Sequence, residues 1–209
     1  VTIGAGGGSI GWIDELGLLR MGPQSAGADP GPACYDLGGE EPACSDADLV
    51  LGYLDPNFFA GGKMKLSVDA AKSAIQSRIA DKLGMSWEEA AAGMYEVINV
   101  GMASAVREIA VKAGYDPRDF PLVTAGGAGP NHACQIALAL SIPEILVPRE
   151  SSIFCAAGML RSDLKHDFVR TYATTLDALD VAKFQALYAE MKAEGDKLLD
   201  EEGIPKDRV

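Results

Sequence analysis

The pattern of apolar and polar positions in the first part of the chain predicts a β-hairpin, a long loop and a short helix. The opening stretch VTIGAGGGSIGW has the end of a buried strand running into a glycine loop. Two short apolar runs, GSIGWID and GLLRMG, follow each other closely, as in a hairpin. Residues 22–45 hold four prolines and five glycines, which exclude regular structure and favour an ordered loop. The segment SDADLVLGYLD then predicts a short helix that Asp55 and Pro56 end.

The remaining apolar pattern predicts two long helices, one βαβ unit and a final helix. Residues 67–84 and 86–114 each begin at a serine cap and end at a glycine. Small side chains along the second segment let another backbone approach, so we expect a central helix that packs against a sheet. Residues 122–147 contain a buried strand, a glycine turn, a helix and a second apolar strand, as in a parallel βαβ unit. A further helix is predicted over residues 180–202.

Composition and charge argue against several classes of protein. The 209 residues are 48% hydrophobic and 23% charged, which is typical of an α/β protein with one sizeable core or two small ones. The formal net charge of −12 argues against nucleic acid as a partner, because its binding depends on a surface rich in Lys and Arg. No apolar run is long enough for a membrane span. Since no signal peptide precedes the first strand, we expect either a cytoplasmic protein or one whose true beginning is absent.

The four cysteines predict neither a zinc ribbon nor a disulfide framework. Cys34, Cys44, Cys134 and Cys155 form no CxxC pair. We therefore expect reduced thiols, mostly buried, and assign no metal ligand from the sequence. Cys34 is the cysteine of most interest, because it lies in the tight turn DPGPACYDLGG.

The two glycine loops match neither common nucleotide-binding template. GAGGGS and GAGPNH place Ser9 and His132 where a dinucleotide fingerprint needs its third glycine, and no P-loop sequence occurs. Glycine nevertheless lets backbone N–H groups come close to an anion, and a helix N-terminus adds a favourable dipole. Without a matching template, the glycine loops therefore indicate only a capacity to bind an anion.

Three motifs carry a resemblance to a known family. The strings GAGGGSIGWIDELGLLRMGPQSAGADPGPACY, GGAGPNHA and RSDLKHDFVRTY occur in this order. Over residues 1–175 the chain resembles the hydantoinase A/5-oxoprolinase family, which includes the ATP-dependent subunits of N-methylhydantoinase, 5-oxoprolinase, acetone carboxylase and acetophenone carboxylase. The string PRESSIFCAAGMLRSDLKHDF is more similar to the ketone-carboxylase branch than to the oxoprolinases.

The resemblance implies an α/β fold of the ribonuclease-H-like type, as in actin and the sugar kinases, where two lobes close on ATP. Residues 1–175 would form the second lobe, with a mixed sheet and with loops and helices inserted over residues 22–84. Residues 176–209 would begin a C-terminal helical extension that is cut short. The first phosphate loop of such ATPases has no counterpart in this sequence, so we expect the fragment alone to be inactive.

The resemblance also implies which loop residues contact the nucleotide. The implied contacts are Gly6, Gly7, Gly8 and Ser9 with the phosphates, and Gly126, Gly127, Ala128 and Gly129 with the adenosine.

The chemistry implied by the resemblance is activation of a carbonyl or amide oxygen by phosphoryl transfer from ATP. Hydantoinases and oxoprolinases would use it to open a cyclic amide with water, and ketone carboxylases to carboxylate a ketone. This chemistry needs loops that hold the phosphates, Mg²⁺ to spread charge and a site that excludes water. The implied partner is a large second subunit of hydantoinase B type, with no role for nucleic acid or membrane.

Asp29 and His132 are the candidate catalytic residues. Asp29 lies between Ala28 and Pro30, where a carboxylate serves as an acid, a metal ligand or simply a turn former. His132 follows the second glycine loop, where an imidazole meets substrate or phosphate, or else caps the helix. His166, in LKHDFVRTY, lies on an apparent strand and is expected to make a structural hydrogen bond.

Two other functions stay open from the sequence. One is a non-catalytic nucleotide-binding or assembly module, which the missing phosphate loop suggests. The other is an NAD(P)-binding oxidoreductase domain, which the βαβ geometry favours and both incomplete fingerprints oppose. Binding of ATP compared with NAD separates the second alternative from the ATP-dependent functions.

Overall fold

The computed structural model describes residues 2–205, and these fall into two compact units. The first unit ends at Ala157 and the second begins at Gly158. In chain order the elements are β1 (Ser9–Ile13), β2 (Leu19–Ser25), α1 (Cys44–Val50), α2 (Val68–Ile75), α3 (Asp81–Leu83), α4 (Trp87–Lys112), β3 (Leu122–Val123), α5 (Gly129–Leu140), β4 (Ile145–Leu146), α6 (Phe154–Met159) and α7 (Val181–Glu201). A π-helical turn (Gln76–Ala80) joins α2 to α3.

The predicted hairpin is confirmed, with β1 antiparallel to β2. Asp14 stabilises its tip, because its carboxylate accepts from the Leu16 N–H at 3.0 Å and from Arg20 Nε at 2.8 Å. A Cβ added at Gly11 would lie 2.9 Å from Cε of Met94 on α4. The hairpin therefore approaches α4 closely at this point of β1.

The helix α1 begins one residue earlier and ends sooner than the sequence predicts. Its first residue is Cys44, and the Asp46 carboxylate accepts from the Ala43 N–H at 2.7 Å, so Asp46 caps from inside the first turn. The helix stops at Val50 rather than near residue 55, and Gly52 with φ of 83° reverses the chain. Residues 31–34 are buried, which confirms an ordered loop before α1. The expectation that residues 22–45 hold no regular structure is wrong at both ends, because β2 extends to Ser25 and α1 begins at Cys44.

The core of the first unit lies where α1, α2 and the π-helical turn meet α4. Its completely buried side chains are Ala47, Ile75, Ile79, Ala80, Ala90, Ala91 and Met94. The alanines allow the helix backbones to approach, as expected for a central helix. Leu19 and Met21 of β2 pack against this cluster, so α4 contacts the hairpin as well as the helices.

The βαβ unit is confirmed, but the expected mixed sheet is not present in residues 2–205. Strands β3 and β4 pair in parallel across α5, and each is only two residues long. The described strands form two separate sheets of two strands each. The free edge of β1 pairs instead with the chain before α1: Ile10 bridges Ala43, and the Gly11 N–H donates to the Pro42 carbonyl at 2.7 Å. The chain before α1 therefore covers the edge of β1 that a third strand would cover in a larger sheet.

The second unit contains α7, which confirms the predicted final helix. Asp180 caps it by accepting from the Lys183 N–H at 3.0 Å. The strand expected around His166 is wrong, because residues 163–175 have no regular structure. His166 does make a structural contact, with Nε2 lying 2.9 Å from Oε2 of Glu202. None of the helices between residues 2 and 205 is long and apolar enough to cross a membrane.

Candidate functional site

The first glycine loop, residues 6–9, forms a tight turn that leads into β1. The Gly6 N–H donates to Ser9 Oγ at 2.9 Å, and the Ser9 N–H donates to the Gly6 carbonyl at 3.0 Å. Ser9 is buried, so its hydroxyl holds the turn from the inside. The N–H groups of Gly7 and Gly8 make no hydrogen bond with any residue in the described range 2–205. These two groups are free to meet an anion.

Two glycines of the first loop lie close to serine hydroxyl groups. A Cβ on Gly7 would lie 2.7 Å from Ser45 Oγ, and one on Gly8 would lie 2.6 Å from Ser25 Oγ. A Cβ on Gly6, in contrast, would meet no heavy atom within 4 Å. A side chain at position 7 or 8 would therefore meet a serine hydroxyl, whereas Gly6 borders open space.

The second glycine loop, residues 126–129, turns the chain from β3 into α5. Gly126 has a φ of 92°, which favours glycine, and its N–H donates to the Ser151 carbonyl at 2.7 Å. A Cβ on Gly126 or Gly127 would meet no heavy atom within 4 Å, whereas one on Gly129 would lie 2.6 Å from Thr124 Oγ1. In the first turn of α5, Pro130 has no N–H and the Asn131 N–H donates to the Ala128 carbonyl at 3.1 Å, so the open space beside Gly126 and Gly127 is what this loop offers a ligand.

A buried cluster of three polar side chains, Cys44, Asp48 and His132, lies between α1 and α5. Cys44 and Asp48 are one turn apart on α1, and His132 is in the first turn of α5. His132 Nε2 lies 3.6 Å from Cys44 Sγ and 3.5 Å from Asp48 Oδ2. The Cys44 sulfur lies 3.8 Å from the same carboxylate oxygen. All three residues are at most 2% exposed.

Residues of α4 orient His132 from the other side of its ring. His132 Nδ1 lies 3.1 Å from Asn99 Oδ1, and Asn99 Nδ2 donates to the Tyr95 carbonyl at 2.7 Å. Because the amide group of Asn99 is fixed in this way, its oxygen faces the imidazole, and Nδ1 carries the proton. The lone pair of neutral His132 is then on Nε2, which faces Cys44 and Asp48. The Tyr95 ring stacks on the imidazole, with the ring centroids 5.3 Å apart.

The cysteine of the buried cluster is held as a thiol when no cation is nearby. Burial and the Asp48 carboxylate raise the pKa of Cys44 well above its ordinary value. Cys44, Asp48 and His132 are all residue types that bind metal ions. One potential ligand atom from each lies within 4.8 Å of the other two.

The start of α1 connects the two glycine loops. The Ser45 N–H donates to the Gly7 carbonyl at 2.8 Å, which joins α1 to the first loop. The neighbouring residue Cys44 contacts His132, three residues after Gly129 of the second loop. The two predicted nucleotide-binding loops are thus both connected to the first residues of α1.

Asp46 anchors the loop before α1 with its buried carboxylate. It accepts from the backbone N–H groups of Cys34, Ala43 and Ala33, at 2.6, 2.7 and 3.2 Å. Burial raises the pKa of Asp46, and these three hydrogen bonds oppose that shift. Asp46 is therefore a structural residue that ties the loop to the first turn of α1.

The two predicted catalytic residues lie in different surroundings. Asp29 is exposed, and across residues 2–205 its carboxylate makes no hydrogen bond or ion pair. His132 is buried in the cluster described above, so it is not at the surface where a substrate would reach it directly. The expectation of mostly buried thiols is half right: Cys34 and Cys44 are buried, whereas Cys134 and Cys155 are exposed.

Comparison with known proteins gives relatives over nearly the whole chain. The chain is 41% identical over 208 residues to caprolactamase subunit alpha of Pseudomonas jessenii, and this match covers 99% of the chain and 30% of the relative. It is 39% identical over 201 residues to the acetophenone carboxylase gamma subunit of Aromatoleum aromaticum, covering 96% of the chain and 27% of that subunit. The chain therefore spans less than a third of the length of these relatives.

Solved structures give the same relationship. The crystal structure of the ATP-dependent caprolactamase from Pseudomonas jessenii matches with a TM-score of 0.72 and 41% identity, over 99% of this chain and 30% of that one. A model of the hydantoinase/oxoprolinase family matches residues 1–168. With the motifs and the fold, these matches show that the chain belongs to the hydantoinase/oxoprolinase family.

Proposed function

We propose that this chain is part of an ATP-dependent enzyme that activates a carbonyl or amide oxygen of a small molecule by phosphoryl transfer. Its substrate would be a cyclic amide or a ketone, and the first unit would form the second lobe of a ribonuclease-H-like ATPase. Relatives named as a lactamase subunit and a carboxylase subunit support these two substrate classes. Since both are subunits, we also propose a large partner subunit of hydantoinase B type.

The observation that carries this proposal is the pair of open glycine loops joined by the start of α1. In the first loop the Gly7 and Gly8 N–H groups are available to bind phosphate oxygens. In the second loop the open space beside Gly126 and Gly127 suits a flat adenosine group against the backbone. Both loops are connected to the first residues of α1, which supports one nucleotide contacting both.

The side chains near the loops have separate duties in this proposal. Ser9 would fix the first loop, through its hydrogen bond with the Gly6 N–H, beside the phosphates. Mg²⁺ would neutralise the charge that spreads over the transferred phosphoryl group. Asp29 is exposed on the same loop region that leads to α1, so it is free to act as an acid or to hold water near the metal. His132 is buried, and it would contribute by positioning the first turn of α5 and the glycine loop that precedes it.

Replacing Gly127 by valine is expected to weaken the binding of Mg–ATP by about tenfold or more, which corresponds to about 1.4 kcal/mol. The valine side chain would fill the space proposed for adenosine. The positive φ belongs to Gly126, so the backbone at Gly127 accepts a side chain without strain. Isothermal titration of the protein from its complete reading frame with ATP measures the effect, and a parallel titration with NAD tests the alternative cofactor.

Gly101→Val is the matched control for this experiment. Gly101 lies on α4, and a Cβ there also meets no heavy atom within 4 Å. This variant should bind ATP as the parent does. If folded Gly127→Val protein has the parent's affinity for ATP, the adenosine assignment is wrong. If NAD binds and ATP does not, the proposed function is wrong as a whole.

A further inference from the structure

We propose that Cys44, Asp48 and His132 bind a zinc ion that ties α1 to α5. The three side chains come from two helices and supply one sulfur, one nitrogen and at least one carboxylate oxygen. This is the mixed donor set that Zn²⁺ accepts in proteins. The proposal rests on the geometry of the cluster and is independent of the nucleotide site.

The distances in the cluster are those between ligands of one metal ion. Tetrahedral zinc with its usual bond lengths of about 2.0–2.3 Å has ligand atoms about 3.3–3.7 Å apart. The observed separations are 3.5 Å for Asp48 Oδ2 to His132 Nε2, 3.6 Å for Cys44 Sγ to His132 Nε2, and 3.8 Å for Cys44 Sγ to Asp48 Oδ2. Each edge of the triangle is within a few tenths of an ångström of that range.

Hydrogen bonding alone accounts poorly for the same cluster. A hydrogen bond between an imidazole nitrogen and a carboxylate oxygen is normally about 2.7–3.2 Å long, so 3.5 Å is too long for one. Asp48 is 1% exposed, and within residues 2–205 its Oδ1 has no hydrogen-bond partner. A buried carboxylate oxygen without a partner is costly. A cation in the cluster would remove that cost, because Asp48 could then bind it through both oxygens.

The surroundings of His132 are those of a metal ligand. A ligating imidazole usually donates its other N–H to an oxygen, which fixes the tautomer and the ring orientation. Asn99 Oδ1 accepts from Nδ1 of His132 in this way, and leaves the Nε2 lone pair on the side of Cys44 and Asp48. The stacked Tyr95 ring holds the imidazole plane from the other side.

The ion would have a structural role with a consequence for the nucleotide site. Helices α1 and α5 both pack on α4, and the ion would join them directly. Cys44 is adjacent to Ser45, which holds the first glycine loop, and His132 follows the second loop closely. A metal in the cluster would therefore fix the distance between the two loops.

The test is the metal content of the protein purified from its complete reading frame, for the parent and for two cysteine variants. Cys44→Ser removes the sulfur ligand but keeps a hydroxyl that can hydrogen-bond to Asp48. Cys34→Ser is the matched control, because Cys34 is equally buried in the first unit and lies outside the cluster. After dialysis, the parent and Cys34→Ser should each hold about one equivalent of zinc more than Cys44→Ser. A chelator should lower the melting temperature of the parent and of Cys34→Ser, and added Zn²⁺ should restore it.

Equal zinc in Cys44→Ser and the parent, or a parent without zinc and without any response to the chelator, would overturn the proposal. The parent alone gives a second readout, for the case that Cys44→Ser does not fold. X-ray absorption at the zinc edge should show one sulfur ligand together with nitrogen and oxygen ligands. A zinc shell that contains no sulfur would exclude Cys44 as a ligand and overturn the site.

Discussion

Replacing Asp46 by alanine is expected to lower the free energy of unfolding of the first unit by about 3–5 kcal/mol. The Asp46 carboxylate is completely buried and accepts from three backbone N–H groups. Alanine would leave those donors buried without an acceptor and would open a small cavity. Because two of the donors belong to residues 33 and 34, the loop before α1 would lose its attachment to the helix. Urea unfolding followed by circular dichroism measures the change.

Asp69→Ala is the control for the Asp46 variant. Asp69 is exposed in the first turn of α2, so its loss should cost less than about 1 kcal/mol. If Asp46 holds the loop, the free energy of unfolding must be clearly lower for Asp46→Ala than for Asp69→Ala. Similar midpoints for both would show that the N–H groups of residues 33 and 34 find other partners, and that Asp46 does not hold the loop.

Residues 1–209 produced on their own are expected to turn over ATP at least about 10⁵-fold more slowly than the complete enzyme, because a barrier contribution of about 7 kcal/mol depends on correct positioning. The family resemblance implies that another lobe carries the first phosphate loop, and no stretch of this sequence matches that loop. Without it the β- and γ-phosphates would not be aligned for transfer. Release of inorganic phosphate in the presence of Mg²⁺ measures the rate.

The comparison protein in this assay is the one from the complete reading frame, together with the proposed partner subunit and the proposed substrate. Circular dichroism of residues 1–209 must first show the expected helices, so that inactivity is not confused with unfolding. Robust Mg²⁺-dependent turnover by these residues alone would show that the whole catalytic site lies within them. The proposed division of phosphate contacts between two lobes would then be wrong.

Features that depend on neighbouring residues could be predicted from the sequence. The predicted serine cap at residue 86 is formed: Ser86 Oγ accepts from the Glu89 N–H at 3.2 Å, and Glu89 Oε2 accepts from the Ser86 N–H at 2.9 Å. The hairpin and the βαβ unit were also predictable, because turn chemistry and apolar runs specify them locally. The family could be recognised because its motifs are continuous strings.

Features that depend on distant residues could not be predicted in the same way. The mixed sheet was expected from the family, whereas the edge of β1 pairs with Ala43, and nothing in the local pattern of β1 indicates that partner. The buried cluster joins Cys44 to His132, which are 88 positions apart. The signal that was available is the four-residue spacing of Cys44 and Asp48, which places both on one face of a helix. The third member of the cluster, His132, can be identified only from the packing of α1 near α5 in the folded protein.

A structure of the protein from its complete reading frame, with a non-hydrolysable ATP analogue and Mg²⁺, tests the claim that one nucleotide contacts both glycine loops. The account predicts phosphate oxygens at the Gly7 and Gly8 N–H groups and the adenosine against Gly126 and Gly127. It also predicts that Ser9 keeps its hydrogen bond with the Gly6 N–H. An analogue bound elsewhere, with both glycine loops free of contacts to it, would contradict the claim.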